Sequence, residues 1–314
     1  MTYIGVLLLP RRPMVTIREN VSLAPYTYFK IGGPARFFTE AHSEEELREA
    51  LTFAKEKSVP FWILGGGSNV LIADEGLPGL AIRMLFDGIE FTRLNLVRVG
   101  AGVTMARAVA ASVEAGLAGF EWAIGIPGTI GGSVRGNAGC FGGEMKDVIE
   151  GVEVLQTTND KLQMTNKFQI SNVNCRFSYR ESEFKRDPSL TILSATLKLQ
   201  KGNPEESRKL IAQYARERAV KQDIGMQCAG CMFKNPFPDK PAGMLIDTAG
   251  CKGMRVGNAI VSEKHANYFV NRGGASANEV RALTAMIKKR VRDAHDIELE
   301  EEIQYLPRRQ AGLP

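Results

Sequence analysis

The sequence predicts an α+β fold built in three units, on three observations. Helical and strand-like periodicities both occur, but they do not alternate as a doubly wound sheet requires. Two glycine-dense stretches punctuate the first half, each beside a strand-like apolar run. A short linker, residues 201–204, then opens onto a charged amphipathic stretch and a third unit.

The elements follow in order. Ser43 before Glu44, Glu45 and Glu46 is a helix start signal, and residues 47–57 carry the helical pattern behind it. Residues 59–64 read as a buried strand that runs into Gly65-Gly66-Gly67-Ser68-Asn69. A strand over 97–102 precedes a small-residue helix over 105–115, closed by Gly116. The second glycine stretch spans 125–139. Strands over 151–156 and 190–199 complete the first half, and helices over 205–221 and 277–294 belong to the third unit. The expected domain plan is two subdomains at about 14–85 and 86–203, a C-terminal domain at 204–306, and tails at 1–13 and 307–314.

Composition narrows the function classes. A chain of 314 residues with 44% hydrophobic and 24% charged residues has the makeup of an ordinary globular protein. The net charge of +5 suits an anionic substrate but is too small and dispersed to argue for nucleic acid. Five cysteines at irregular spacing do not form a disulfide framework, which points to a reducing compartment, the cytoplasm. The apolar run near Met1 lacks a preceding basic residue and a cleavage site, and it is too short to span a bilayer. No membrane insertion is expected, and a monomer is.

Gly65-Gly66-Gly67-Ser68-Asn69 allows two readings. Glycines without Cβ let backbone N–H groups approach an anion, yet one triplet is equally a tight turn. The spacing matches neither a Rossmann nor a P-loop fingerprint. A second glycine loop shifts the balance toward an extended dinucleotide held between two sheet units.

Three motifs carry a resemblance: TYFKIGG at 27–33, LGGGSNVL at 64–71 and GIPGTIGGSVRGNAG at 125–139. In this order they resemble the FAD-binding elements of the enolpyruvoylglucosamine reductases. The match continues through FSYRESEF, GCMFKNP, LIDTAGCKG, SEKHANYFVN and LEEEI, so it covers roughly residues 15–306. The resemblance implies the FAD-binding fold of vanillyl-alcohol oxidase relatives (the PCMH type), followed by a smaller α+β substrate-binding domain. It implies non-covalent FAD, held by Gly65, Gly66, Gly67, Ser68, Asn69, Gly125, Ile126, Pro127, Gly128, Thr129, Gly132, Asn137, Ala138 and Gly139. It also implies NADPH as co-substrate, a nucleotide-sugar enolpyruvate as substrate, and a place in peptidoglycan precursor synthesis.

The implied chemistry has two halves: NADPH reduces FAD, and hydride then reaches the vinyl carbon furthest from the substrate carboxylate. Charge flows into that carboxylate, so the site needs a cation, a partner for the enolate, and an acid for the α-carbon. Arg180 matches the family's catalytic arginine, and a guanidinium grips a carboxylate with two parallel bonds. Without the resemblance it would read as a surface arginine. Glu302 matches the catalytic glutamate; Glu300 is the alternative in a neighbouring register, and Ile303 at the family's apolar position favours Glu302.

Cys231 stands where the family usually has its proton-donating serine. A thiol with a reference pKa of about 8.5 is mostly protonated at neutral pH and can do the same work. The competing readings are a small buried apolar residue and a metal ligand. Cys228 and Cys231 form C-x-x-C, but no matching second pair completes a zinc site, so no metal is expected.

Tyr179, Lys221 and Asn235 match substrate-binding positions, with Lys221 reaching the diphosphate. Gln222 follows Lys221 where the family commonly has proline. His265 and Asn267 read as shaping the third unit. Only 51 steps separate Arg180 from Cys231, which implies the shorter type lacking an inserted tyrosine loop. Two rival functions are another FAD-dependent oxidoreductase acting on an alcohol or sugar, and a non-catalytic flavin-binding module.

Overall fold

In the computed structural model, residues 15–92, 95–158, 163–222 and 225–307 are described. The expected tail at 1–13 lies outside them, as does the second tail from residue 308 onward.

Strands β1 (Arg18–Ser22) and β2 (Pro34–Ala41) open the chain. Helix α1 (Glu44–Glu56) starts where its signal predicts, with the Ser43 side chain accepting from Glu46 N. Its buried residues Leu47, Ala50, Leu51 and Ala54 follow the spacing of one helix face. That face packs on Phe37, Leu80 and Ile82 of the first sheet, and each buried leucine contributes about 1.5–3 kcal/mol. Strands β3 (Phe61–Leu64), β4 (Val70–Ile72) and β5 (Leu77–Met84) follow. The first sheet has the order β1-β2-β5-β3, with β2, β5 and β3 parallel.

The second sheet begins with β6 (Ile89–Phe91) and β7 (Leu96–Gly100). Helices α2 (Met105–Glu114) and α3 (Ile130–Arg135) cover it. Strands β8 (Ile149–Thr158), β9 (Gln163–Ser171) and β10 (Leu190–Lys198) complete it in the antiparallel order β9-β8-β10-β7-β6.

The expected linker is partly structured. Gln200–Lys201 pairs with Leu117–Ala118, and Pro204 is already the first residue of helix α4 (Pro204–Lys221), capped by Asn203. Proline suits that position because its missing N–H would have no partner in the first turn.

The third unit holds helix α5 (Ala242–Thr248), a three-stranded sheet of β11 (Arg255–Val256), β12 (Ala259–Val261) and β13 (Phe269–Asn271), and helix α6 (Ala277–His295). Its core takes in Phe29, Ile31 and Leu71 from the first unit. Asp74 caps α6 by accepting from Ala277 N at 2.7 Å and Asn278 N at 3.0 Å. The last strand, β14 (Gln304–Leu306), leaves the third unit and pairs in parallel with β4. The glycine loop before β4 and the acidic run before β14 are thereby drawn together.

Candidate active site

The two glycine loops meet through backbone. A Cβ on Gly66 would lie 2.7 Å from Gly128 Cα, so no larger residue fits there. Gly67 has φ +68°, and a Cβ on it would lie 2.1 Å from Tyr26 O. Ser68 Oγ donates to Pro127 O at 3.0 Å, which ties the loops at a second point. The N–H groups of Gly66, Gly67, Ser68 and Asn69 donate to no acceptor among the described residues. Four unspent amides on one loop can cradle an anion such as a diphosphate.

On the second loop, Thr129 caps α3 by accepting from Gly132 N at 3.5 Å, and Ile126 is half-buried. The carbonyl of Gly125 accepts from Arg218 of α4, whose Nη2 also reaches Cys140 Sγ at 3.1 Å. Asn137 is fully buried, and its side chain is already spent. It donates to Glu144 Oε2 at 2.9 Å and Ser178 O at 3.0 Å, and accepts from Lys146 N at 3.0 Å. Asn137 therefore braces the turn that carries Arg180, while Ala138 and Gly139 continue that wall.

That turn is tight. Ser178 and Glu181 exchange both backbone hydrogen bonds, leaving Tyr179 and Arg180 at its tip. Arg180 has φ +58°, a left-handed conformation that residues other than glycine adopt uncommonly and at some energetic cost. Its Nε lies 2.8 Å from Glu302 Oε1, and Nη2 lies 3.5 Å from Gly139 O. The pair is largely buried, with side-chain exposures of 23% and 16%.

Two main-chain links and one side-chain link bring the remaining groups in. Glu302 N donates to Met232 O at 2.8 Å, and Lys234 N donates to Glu300 O at 2.8 Å. Asn69 Nδ2 donates to Glu302 O at 3.2 Å, joining the first glycine loop to the acidic run. Arg180, the Cys231 segment, Glu302 and the first glycine loop thus converge from four parts of the chain. Asn267 fixes the Cys231 segment by accepting from Phe233 N at 2.9 Å and donating to Phe233 O at 2.8 Å.

The electrostatics suit an acid–base site. Burial lifts the Glu302 carboxyl above the ordinary carboxylate range, against the opposing pull of Arg180. Burial also works against the Arg180 charge, but Glu302, with Tyr179 and Cys231 adding, outweighs it and the guanidinium is held above its usual value. Burial, with the Glu302 charge adding, pushes the Cys231 thiol from 9.0 up to about 12. The thiol therefore keeps its proton throughout the physiological range.

Of the substrate-binding positions, Tyr179 and Asn235 come together: Asn235 N donates to the Tyr179 hydroxyl at 3.2 Å. The Asn235 side chain caps α5 by accepting from Ala242 N at 3.0 Å. Lys221 stands exposed at the last turn of α4. No hydrogen bond or ion pair joins it to Arg180, Cys231 or Glu302. Sequence reasoning missed Glu181, Lys185 and Lys234, which surround the Arg180 turn; lysine and glutamate carry no signal that separates a buried role from a solvated one.

Comparison with known proteins places the chain in a family. The model of the UDP-N-acetylenolpyruvoylglucosamine reductase C-terminal domain matches residues 222–306, and that of an FAD binding domain matches residues 35–164. A UDP-N-acetylenolpyruvoylglucosamine reductase of Synechococcus sp. (strain JA-3-3Ab) is 36% identical over 292 residues, covering 92% of this chain and 91% of the relative. The chain belongs to the UDP-N-acetylenolpyruvoylglucosamine reductase family. Another reductase of this name, from Caldicellulosiruptor bescii, is 38% identical over 287 residues, covering 90% of this chain and 88% of its own. The crystal structure of the reductase from Thermus caldophilus superposes with a TM-score of 0.76 at 35% identity, covering 93% of this chain and 99% of that one. With an FAD-binding domain matched over residues 35–164 and membership of this family, FAD is the cofactor.

Proposed function

We propose that this chain is a UDP-N-acetylenolpyruvoylglucosamine reductase. It reduces the enolpyruvyl group of UDP-N-acetylglucosamine enolpyruvate to give UDP-N-acetylmuramate, with NADPH as reductant, in peptidoglycan precursor synthesis. Family membership over nine-tenths of the chain supports the activity. The observation that carries the site is the convergence of Arg180, the Cys231 segment and Glu302 beside the first glycine loop.

The glycine loops over 65–69 and 125–139 would hold FAD, which once reduced by NADPH would supply a hydride to the substrate's terminal vinyl carbon. The chain's own residues handle the charge and the proton. Arg180 takes the substrate carboxylate, where electron density accumulates, and its buried guanidinium is worth more there than in water. Glu302, its carboxyl pushed by burial toward the protonated form, orients Arg180 and in that form donates a hydrogen bond to the enolate. The Cys231 thiol gives its proton to the α-carbon. Tyr179 and Asn235 hold the substrate beside that carbon, and Lys221 reaches its diphosphate from the end of α4. Burial of the pair keeps water from competing for the enolate. A non-catalytic flavin-binding module would have no use for a strained arginine paired with a buried glutamate.

We propose further that the enzyme works as a monomer, and in the cytoplasm, the latter supported by its five free thiols. Among the described residues no helix is long and apolar enough to cross a membrane.

The test follows the two half-reactions separately by rapid mixing. Arg180→Met and Glu302→Gln should each be reduced by NADPH at the wild-type rate. Each should then be reoxidised by the enolpyruvyl substrate about 10²–10³-fold more slowly, the usual cost of one preorganised contact to a developing oxyanion. Equal slowing of both halves would assign these residues to the flavin site or the fold instead.

A further inference from the structure

The residues assigned to the enolate sit on segments far apart in sequence, and a chain of charges joins those segments. Glu181 follows Arg180 directly. Its Oε1 accepts from Lys185 Nζ at 2.7 Å and from Lys234 Nζ at 3.1 Å. Lys234 Nζ also donates to Glu300 Oε1 at 2.6 Å, and Lys185 Nζ donates to the Arg180 carbonyl at 2.9 Å. The side chains of Lys185 and Lys234 are only 13% and 11% exposed.

Lysine normally lays its stem on the protein and keeps its head in water. Two ammonium groups withdrawn from water around one carboxylate are costly unless every donor is used, and here the donors are used to join segments. Lys185 grips the carbonyl of the one residue in the turn that is both strained and paired to Glu302. Lys234 is tied to Glu300 twice, by its main chain and by its side chain, two residues before Glu302. Glu181 joins the two lysines, and so joins the turn to the C-terminal unit.

We propose that Lys185, Glu181 and Lys234 are positioning residues that hold Arg180 and Glu302 in register for the enolate without touching substrate themselves. The proposal rests on the reading of Arg180 and Glu302 as the pair acting on the enolate. A structural brace alone would not need its cations to face a titrating carboxyl, and these do. Glu302 is faced by Arg180 from the turn, Lys185 from the short helix Glu183–Arg186, and Lys234 and Cys231 from the segment beside it. The Arg180 charge also acts on Glu144. Glu300 and Glu301 lie on the Glu302 segment itself. Both lysines favour the charged form of Glu302, so removing either moves its titration to higher pH.

The test uses the FAD-loaded enzyme with Lys234→Met, Lys185→Met and Lys234→Arg. Lys234→Met should hold FAD and be reduced by NADPH as the wild type is. Its reoxidation by the enolpyruvyl substrate should fall about tenfold to a hundredfold, the scale of an ångström of misplacement, in kcat more than in KM. The Glu302 ionisation in the pH profile of that step should move upward. Lys234→Arg, which keeps the charge, should recover most of the rate and the wild-type profile. Lys185→Met should behave as Lys234→Met does. Wild-type reoxidation in the methionine variants would overturn the proposal. So would a slowed rate with an unmoved profile, or loss of FAD in both, since each describes a brace and nothing more. Arg180→Met and Glu302→Gln run alongside: if those two reoxidise normally, the reading of the pair itself has failed, whatever the lysine variants do.

Discussion

Cys231 gives the sharpest test of the site, because it replaces the family's usual serine and its surroundings change what the thiol can do. Cys231→Ser should keep most of the substrate half-reaction, since burial has already closed much of the acidity gap between thiol and hydroxyl. Cys231→Ala should lose about 10²–10⁴-fold there, the usual contribution of a positioned acid, while reduction by NADPH stays normal. The structure also sets the thiol's reactivity. A shift from 9.0 to about 12 lowers the thiolate population near neutral pH by about a thousandfold. Intrinsic nucleophilicity rises with pKa by a slope of about 0.4–0.5, which returns about 15- to 30-fold. Alkylation at Cys231 should therefore run about 30- to 60-fold slower than at an ordinary cysteine. Inactivation by iodoacetamide, timed against model thiol and against Cys231→Ser as the control for Cys140, Cys175, Cys228 and Cys251, measures this. The sign for pH is equally definite: a thiol raised to about 12 stays protonated, so no loss of the proton-transfer step should set in between pH 7 and 10. Fast, substrate-protected alkylation with an alkaline limb near pH 8–9 would refute the reasoning, and full turnover by Cys231→Ala would remove Cys231 from the proton path.

The remaining predictions concern cofactor and stability. Gly66→Ala should purify with little or no FAD, because its Cβ would sit 2.7 Å from Gly128 Cα and pry the two loops apart; normal flavin content, read from the visible spectrum, would show that the loops tolerate the separation. Acid precipitation of the holoenzyme should leave all yellow colour in the supernatant, and colour in the pellet would reject non-covalent FAD. Lys167 bridges Glu44 of α1 at 2.9 Å and Glu153 of β8 at 3.1 Å, and Lys167 and Arg48 hold Glu44, as Arg98 and Lys167 hold Glu153, below the ordinary carboxylate range despite partial burial. A lowered folded pKa stabilises above the unfolded value of 4.5 and is lost as pH falls through the folded one, so Lys167→Met should cost up to about 1 kcal/mol near pH 7. Melting curves should show that cost shrinking as the pH falls below 4.5, and a pH-independent deficit would mean lost packing rather than lost charge.

Much of the frame was legible from local rules, and the failures have local reasons too. Ser43 and three glutamates announced α1, and the spacing of Leu47, Ala50, Leu51 and Ala54 announced its buried face. Strands β2 and β5 escaped notice because Pro34, Pro78 and Gly79 read as breakers, whereas both lie in the sheet with β5 buried along most of its length. Strand β9 escaped because it lies at the sheet edge, where exposed polar residues leave no alternation to see. Helix α5 has seven residues and begins after Pro241, too short for a helical period to emerge.

The sequence alone determined the class of the fold and the positions of both glycine loops, and its motifs pointed, through the family resemblance, to Arg180, Cys231 and either Glu302 or Glu300. Only the tertiary structure decided that these residues share one site. That meeting rests on β14 returning to pair with β4 and on the Cys231 segment pairing with residues 300–302, contacts between positions far apart whose hydrogen bonds are made by backbone. Backbone groups are the same in every residue, so such pairings leave no mark on side-chain pattern. The same holds for Lys185 and Lys234: a lysine reads as solvated until the fold removes its water, and their burial between Glu181 and Glu300 was settled by the packing of one unit on another.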